Sequence, residues 1–378
     1  MGERAVKVIH MAPLGAGGIS KLTISIHRLM NPDKIHFDYL VFRDRKEFLE
    51  DEAIRLGGRK QIVNTENERN KIIKCVKKIN EMKKLFKREQ YDVVHVDAST
   101  PYDVIVAIAA RMAGIKTIIL HSHNDGFQKA VPLRDAFMDV YKQLMLYTVT
   151  DYFAISESAA EFMFPKKIIK NKKYKMIHNG IDVNEFLYSE NERQKARKAE
   201  GFDGKLVIGH IGRFVYQKNH EFIIDVFENI SKQEPNAVLL LVGEGELQEN
   251  IKELVKKKGL SSKVVFYGAT HDVRKALLMM DAFIFPSRFE GLGIVALEAQ
   301  TNGLPVYAAD SIVEEVNVTD RFKRISGWDA KQWAEKMLKD IEMDKTERRS
   351  YDEELIQAGY SIKEVTQELE EFYLACVE

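Results

Sequence analysis

The segment LVIGHIGRFVYQKN, Leu206–Asn219, decides the architecture: a β-type run breaks at Gly212 into a polar turn carrying Arg213 and Lys218. A strand, a loop and then an amphipathic stretch form the repeating unit of a parallel α/β sheet. Toward the C-terminus the unit recurs at AVLLLVGEG, KVVFYGA, AFIFPS and LPVYAA. Toward the N-terminus a charged, helix-prone segment, Glu190 to Gly204, interrupts the rhythm, and before it stand AVKVIHM, FDYLVF, YDVVHVD, TIILHSH and YFAIS. The rhythm therefore runs, stops and restarts. This predicts two Rossmann-like, doubly wound parallel-sheet domains whose strand ends face a central cleft. The length of 378 residues fits that division, because one core seldom organises more than roughly 250–300 residues. The boundary is expected near residue 188, giving domains 1–188 and 189–360. A last helical pattern, 361–378, with apolar Ile362, Val365, Leu369, Phe372 and Leu374, is expected to pack back on the first domain.

Apolar residues make up 45% and charged residues 30% of the chain, the balance of a water-soluble globular protein. The longest apolar stretch, Val104 to Leu120, is broken by Arg111 and Lys116 and reads as a helix entering a strand, not as a membrane span. The opening residues lack an apolar export core, and two cysteines, Cys75 and Cys376, are too few for a disulfide framework, so a reducing cytoplasm is expected. Charge is unevenly spread: residues 1–185 carry 31 Lys and Arg against 23 Asp and Glu, and the remainder carries 26 against 34. Most of the excess lies in runs from Lys77 to Arg88 and from Lys166 to Lys175. These are either solvated faces or a surface for an anionic membrane or a lipid-linked acceptor, with the protein peripheral on the inner face of the membrane. Neither run is interleaved with aromatics, so no nucleic-acid partner is expected.

Three segments carry chemistry. In PLGAGGIS, Pro13–Ser20, Gly17 and Gly18 let backbone amides approach an anion at a helix start. As a dinucleotide fingerprint it is incomplete, since Ser20 stands two beyond Gly18, and a tight strand-to-helix turn explains it equally well. In the second domain, Arg213 and Lys218 follow a strand end, where two cations can neutralise a diphosphate as its charge grows; exposed loop cations are the alternative. The third is FPSRFEGLGIVALEAQTNGLPV, Phe285–Val306. Glu290 precedes a Gly-Leu-Gly turn and Ile294 opens an apolar helix, so the amides near Gly291 to Ile294 form an anion-binding helix start. Glu298 follows on that helix, and the two carboxylates can accept hydrogen bonds from sugar and ribose hydroxyls.

The ordered set HSHND, ISES, IHNGID, GRFVYQKN, LLLVGEGE, FYGA and FPSRFEGLGIVALEA resembles glycosyltransferase family 4, the retaining group-1 transferases of the GT-B fold, over nearly the whole chain. The resemblance implies that Glu290 and Glu298 are the family's paired glutamates, with Glu298 on the nucleotide ribose. It likewise implies that Arg213 and Lys218 bind diphosphate, that Gly17 and Gly18 lie near acceptor and phosphates, and that the amides of Leu292, Gly293 and Ile294 line the donor pocket. His121 or His123 looks like the family's strand-end histidine that contacts the donor sugar, with His121 preferred because it directly follows the apolar run. His10, His95, His178, His210, His220 and His271 receive no role.

The implied reaction moves a hexose-type sugar from a UDP or GDP sugar to a glycan or lipid-linked hydroxyl in bacterial polysaccharide synthesis. Configuration is retained by front-face attack, in which the departing phosphate accepts the acceptor's proton. No cofactor is expected, and no Asp-x-Asp pair exists to clamp a divalent metal. Two rivals share the architecture: a sugar-nucleotide epimerase, which lacks the paired-glutamate context, and a non-catalytic partner subunit, which donor turnover by the purified chain would separate.

Overall fold

The computed structural model describes residues 4–15, 17–66, 68–124, 132–270, 272–344 and 347–377, the side chains of 132–136 excepted. The chain forms two compact units, Met1–Gly180 with Ile362–Glu378, and Ile181–Ser361. The division at Gly180 precedes the expected boundary at 188, so residues 181–188 belong with the second unit. Ile181 accounts for this: it forms a parallel bridge with Ser361, and its amide donates to the Tyr360 carbonyl at 2.8 Å.

In the first unit, β1 (Val6–Met11), β2 (Ile35–Val41), β3 (Lys60–Ile62), β4 (Val93–Ala98), β5 (Thr117–Ser122), β6 (Asp151–Ala154) and β7 (Lys175–Met176) form a sheet in the order β3-β2-β1-β4-β5-β6-β7. Every pairing is parallel. Its central strands β1, β4 and β5 are buried along nearly their whole length because both faces are covered. On one face, helix Val104–Ala113 and residues Met82, Leu85 and Phe86 of helix Lys71–Glu89 build one core. On the other, helix Gly18–Leu29 meets the terminal helix Ile362–Ala375 through Leu22, Ile26, Val365, Leu369 and Tyr373. The terminal helix thus belongs to the first unit.

The second unit repeats the scheme. β8 (Leu206–Ile211), β9 (Ala237–Val242), β10 (Val264–Gly268), β11 (Ala282–Phe285), β12 (Val306–Ala309) and β13 (Phe322–Ile325) lie in the order β10-β9-β8-β11-β12-β13, again all parallel. Counted from β8, this order equals that of the first six strands of the first unit, which adds β7 at one edge. Strand order reverses between β1 and β4 and between β8 and β11, and it is outside the C-terminal ends of strands at such switch points that open α/β sheets bind ligands. Among the described residues no helix is long and apolar enough to cross a membrane.

Candidate active site

In the second unit the loops following β8 and β11 are stitched together. The loop after β8 is pinned by Phe214, fully buried, whose amide donates to the Glu244 carbonyl at 3.0 Å. Behind it, Gly243 has φ of 134°, and a Cβ there would stand 2.2 Å from the Gly212 carbonyl oxygen. Only glycine allows the β8 and β9 loops to approach so closely. A short turn, Tyr216–Lys218, then ends at Asn219, whose left-handed backbone (φ 56°) opens helix His220–Gln233.

That turn aims Lys218 at the other loop. Its Nζ lies 2.6 Å from Glu290 Oε1. The Gln217 side-chain amide donates to the Phe289 carbonyl at 3.0 Å and to Glu290 Oε2 at 3.3 Å. In return the Arg288 amide donates to the Gln217 carbonyl at 2.8 Å, and the Arg288 guanidinium donates to Asn219 Oδ1 at 2.8 Å. Glu290 is buried with both oxygens engaged. Arg213 is exposed and forms no ion pair with any described residue.

Gly293 has φ of 83°, and an added Cβ would lie 3.0 Å from the Phe285 ring. Helix Ile294–Thr301 follows with no side-chain cap and no acid in its first turn. The amides of Leu292, Gly293 and Ile294 meet no acceptor among the described residues. Such an end carries partial positive charge and is unsatisfied until an acceptor arrives. Glu298 is half-buried on the same helix. Behind Lys218 lie two neutral rings: burial and the neighbouring His220 hold His210 well below the usual histidine value, and burial followed by the Lys218 charge lowers His220 to about 4.

The first unit treats its predicted residues differently. Gly17 and Gly18 are exposed at the start of helix Gly18–Leu29, with Gly17 as its cap; Ala16 lies outside the described residues, as do Asp125 of HSHND and His271. His121 is in β5, 2% exposed, with Nε2 donating to the Ile177 carbonyl at 3.1 Å and Nδ1 3.3 Å from His95 Nε2. His123 lies just past the strand, 8% exposed, with Nε2 3.0 Å from Asp97 Oδ1 and Nδ1 3.2 Å from Asn179 Oδ1. Both rings are engaged on both nitrogens, so hydrogen bonding does not separate the expected His121 from His123; they differ in that His121 lies inside the strand. His123 is the one at the strand end.

His10, His95, Asp97 and Tyr373 join this cluster, and none was singled out from sequence. A signal was present: His95 with Asp97, and His121 with His123, stand two apart, the spacing that puts both side chains on one face of a strand. Burial alone would raise Asp97, yet His10 and His95 hold it well below the usual carboxylate range. Burial lowers His95 and His121 well below the histidine value. Gln217 and Arg288 also escaped notice, because ordinary polar loop residues carry no spacing signal.

Two Rossmann-ordered sheets, one with cations and open amides at its switch point, define an α/β architecture with an anion-binding strand-to-helix junction. The family description "Glycosyltransferase Family 4" matches residues 16–185, and "Glycosyl transferases group 1" matches residues 192–359. EpsF of Bacillus subtilis (strain 168), which carries a glycosyltransferase name, is 28% identical over 370 residues, 96% of this chain and 95% of that one. A UDP-Gal:alpha-D-GlcNAc-diphosphoundecaprenol alpha-1,3-galactosyltransferase of Escherichia coli is 28% identical over 241 residues, 62% of each chain. Among solved structures, HepE of Anabaena in complex with UDP superposes with a TM-score of 0.78 at 17% identity, covering 99% of this chain and 100% of that one. The chain belongs to the group 1, family 4 glycosyltransferases and has the GT-B fold.

Proposed function

We propose that the chain transfers a hexose-type sugar from a UDP or GDP sugar, with retention, to a hydroxyl of a glycan or lipid-linked oligosaccharide in bacterial polysaccharide synthesis. The observation that carries this reading is the switch point of the second unit. There Lys218, the exposed Arg213 and the unmatched amides of Leu292 to Ile294 offer positive charge where a departing diphosphate gains negative charge. Glu298 serves the ribose and Glu290 the donor sugar while also orienting Lys218. The polysaccharide assignment draws on the E. coli galactosyltransferase, named for a diphosphoundecaprenol-linked acceptor, and the diphosphate donor on HepE, solved with UDP.

Retention through a covalent intermediate needs a free carboxylate close to a second one. Glu290 has both oxygens held by Lys218 and Gln217, which favours a positioning role over nucleophilic attack. The departing phosphate then takes the acceptor's proton, and the protein contributes orientation and electrostatics. Arg213, Lys218 and the amides make a divalent metal at the diphosphate unnecessary, and no cofactor is invoked. Gly17 and Gly18 border the acceptor side.

The basic runs support a peripheral position on the cytoplasmic face of the membrane. On helix Lys71–Glu89, Ile72, Ile73 and Val76 are exposed beside Lys77, Lys84 and Lys87, an apolar and basic surface suited to anionic lipid. The purified chain is tested against UDP-, GDP- and dTDP-sugars for nucleotide release, and the product's anomeric configuration is read by NMR. Turnover of a UDP or GDP sugar, retention, and a rate indifferent to added Mg²⁺ are expected. An inverted product, or turnover that begins only with Mg²⁺, would contradict the mechanism.

A further inference from the structure

The buried cluster at the ends of β1, β4 and β5 has no task in the transfer argued above. Register places His10 beside His95, and Asp97 beside His121. Each ring turns one nitrogen outward to a protein group. His121 Nε2 faces the Ile177 carbonyl (3.1 Å), His123 Nδ1 faces Asn179 Oδ1 (3.2 Å), and His95 Nδ1 and His10 Nε2 share the Tyr373 hydroxyl at 2.7 and 3.0 Å. The other nitrogens converge on Asp97. His123 Nε2, His95 Nε2 and His121 Nδ1 lie 3.0, 3.6 and 4.0 Å from Oδ1, and His10 Nδ1 lies 3.0 Å from Oδ2.

Counting protons shows what is missing. A carbonyl only accepts, so His121 donates from Nε2 and, being neutral, keeps a lone pair on Nδ1. Tyr373 has one proton for two rings. If a neutral His95 donates to Tyr373, its Nε2 lone pair faces that of His121 Nδ1 at 3.3 Å, which only a cation can satisfy. If Tyr373 donates to His95, His10 must donate from both nitrogens and become an imidazolium. Either way, with Asp97 ionised, the cluster needs one cation beside it.

We propose that this cation is a metal ion: His95 Nε2, Asp97 Oδ1, His121 Nδ1 and His123 Nε2 form a buried four-coordinate site for a divalent transition ion of the zinc class. Donors around a tetrahedral ion at about 2.1 Å stand about 3.4 Å apart. Four of the six edges between these donors are 3.0 Å (His123 to Asp97), 3.3 Å (His95 to His121), and 3.6 and 4.0 Å (His95 and His121 to Asp97). A proton serves a single line between two atoms, whereas the edges from His95 and His121 to Asp97 exceed hydrogen-bonding reach and suit an ion among the donors. Three imidazoles and one carboxylate select zinc and its neighbours over Mg²⁺ or Ca²⁺, which take oxygen donors. The outward bonds to Ile177, Asn179 and Tyr373 orient the rings as a metal's outer shell does, and His10 holds the second carboxylate oxygen. The ion would tie β4 and β5 to the terminal helix through Tyr373, as a structural site within the first unit.

The test uses the full chain with a tag free of histidine, purified without chelator, and metal content measured by mass spectrometry. About one zinc-class ion per chain is expected, with thermal stability that falls on prolonged chelation and returns with Zn²⁺ but not Mg²⁺. Co²⁺ in its place should give the visible absorption of a tetrahedral site. His95→Gln and Asp97→Asn should lower occupancy at least about tenfold. Wild-type chain holding below about a tenth of an equivalent, and unmoved in stability by added Zn²⁺, would overturn the proposal and assign the cluster to a shared proton. Because the deciding readout is on wild-type protein, a variant that fails to fold does not blunt it.

Discussion

The two units share a strand order yet treat the polar groups at their switch points in opposite ways. In the first, His10, His95, Asp97, His121 and His123 are buried and turned toward one another, with Tyr373 closing the cluster from the terminal helix. In the second, Arg213 is exposed, the amides of Leu292 to Ile294 are unmatched, and Lys218 is held by a single carboxylate. Glycine chemistry accounts for much of this: Gly212, Gly243 and Gly293 bring backbone to the surface of the second site, where imidazoles fill the first. A group already matched by protein gains little from a ligand, while an unmatched amide or exposed cation gains a full interaction. The closed cluster therefore sets shape, and the open one binds.

The contrast can be broken most forcefully at Lys218. Lys218→Ala removes a charge from the open site and strands the buried Glu290, so transfer should fall about 10²–10³-fold; a loss of less than about threefold in steady-state turnover would dissolve the distinction. Next comes acid. Folded His220 titrates near 4, against 6.5 for the free side chain, because of burial and then Lys218. Below about 6.5 the unfolded chain takes up a proton that the folded chain refuses, so stability falls as pH drops from about 6.5 to about 4 and is flat above that window. The effect is on the order of 3 kcal/mol, and His220→Phe should flatten the acid limb of denaturant titrations. An identical limb in the variant would contradict the neutral ring.

Smaller effects sharpen the picture. Gly293→Ala forces a side chain into positive φ against Phe285 and should cost about 1–2 kcal/mol, seen as a lower Tm. An unchanged Tm would show that the turn relaxes. Glu298→Ala should weaken donor binding about tenfold with an unaltered circular dichroism spectrum; unchanged nucleotide affinity would remove the ribose role.

The sheet rhythm was legible because central parallel strands are apolar runs that survive as sequence patterns; all ten segments read as strands lie in the two sheets. The three strands not foreseen, β3, β7 and β13, are short and carry Lys60, Lys175, and Lys323 with Arg324. Each lies at or near a sheet edge, where burial imposes little pattern. At the second unit's site, Lys218, Glu290 and Gly293 were visible because charge and glycine together at a strand-to-helix junction point to a bound anion. Gln217 and Arg288 were not, since their pairing depends on two loops meeting in space. The histidine cluster was half legible: spacing along β4 and β5 was in view, but the approach of His10 from β1 and Tyr373 from the terminal helix is a property of the fold.

The most direct test is calorimetric titration of UDP and GDP into wild-type chain and into the Arg213→Ala/Lys218→Ala double variant, with uridine and guanosine alongside. Diphosphate affinity should drop at least about a hundredfold while nucleoside affinity stays within about threefold. Equal affinity of both chains for the nucleoside diphosphates would contradict the account.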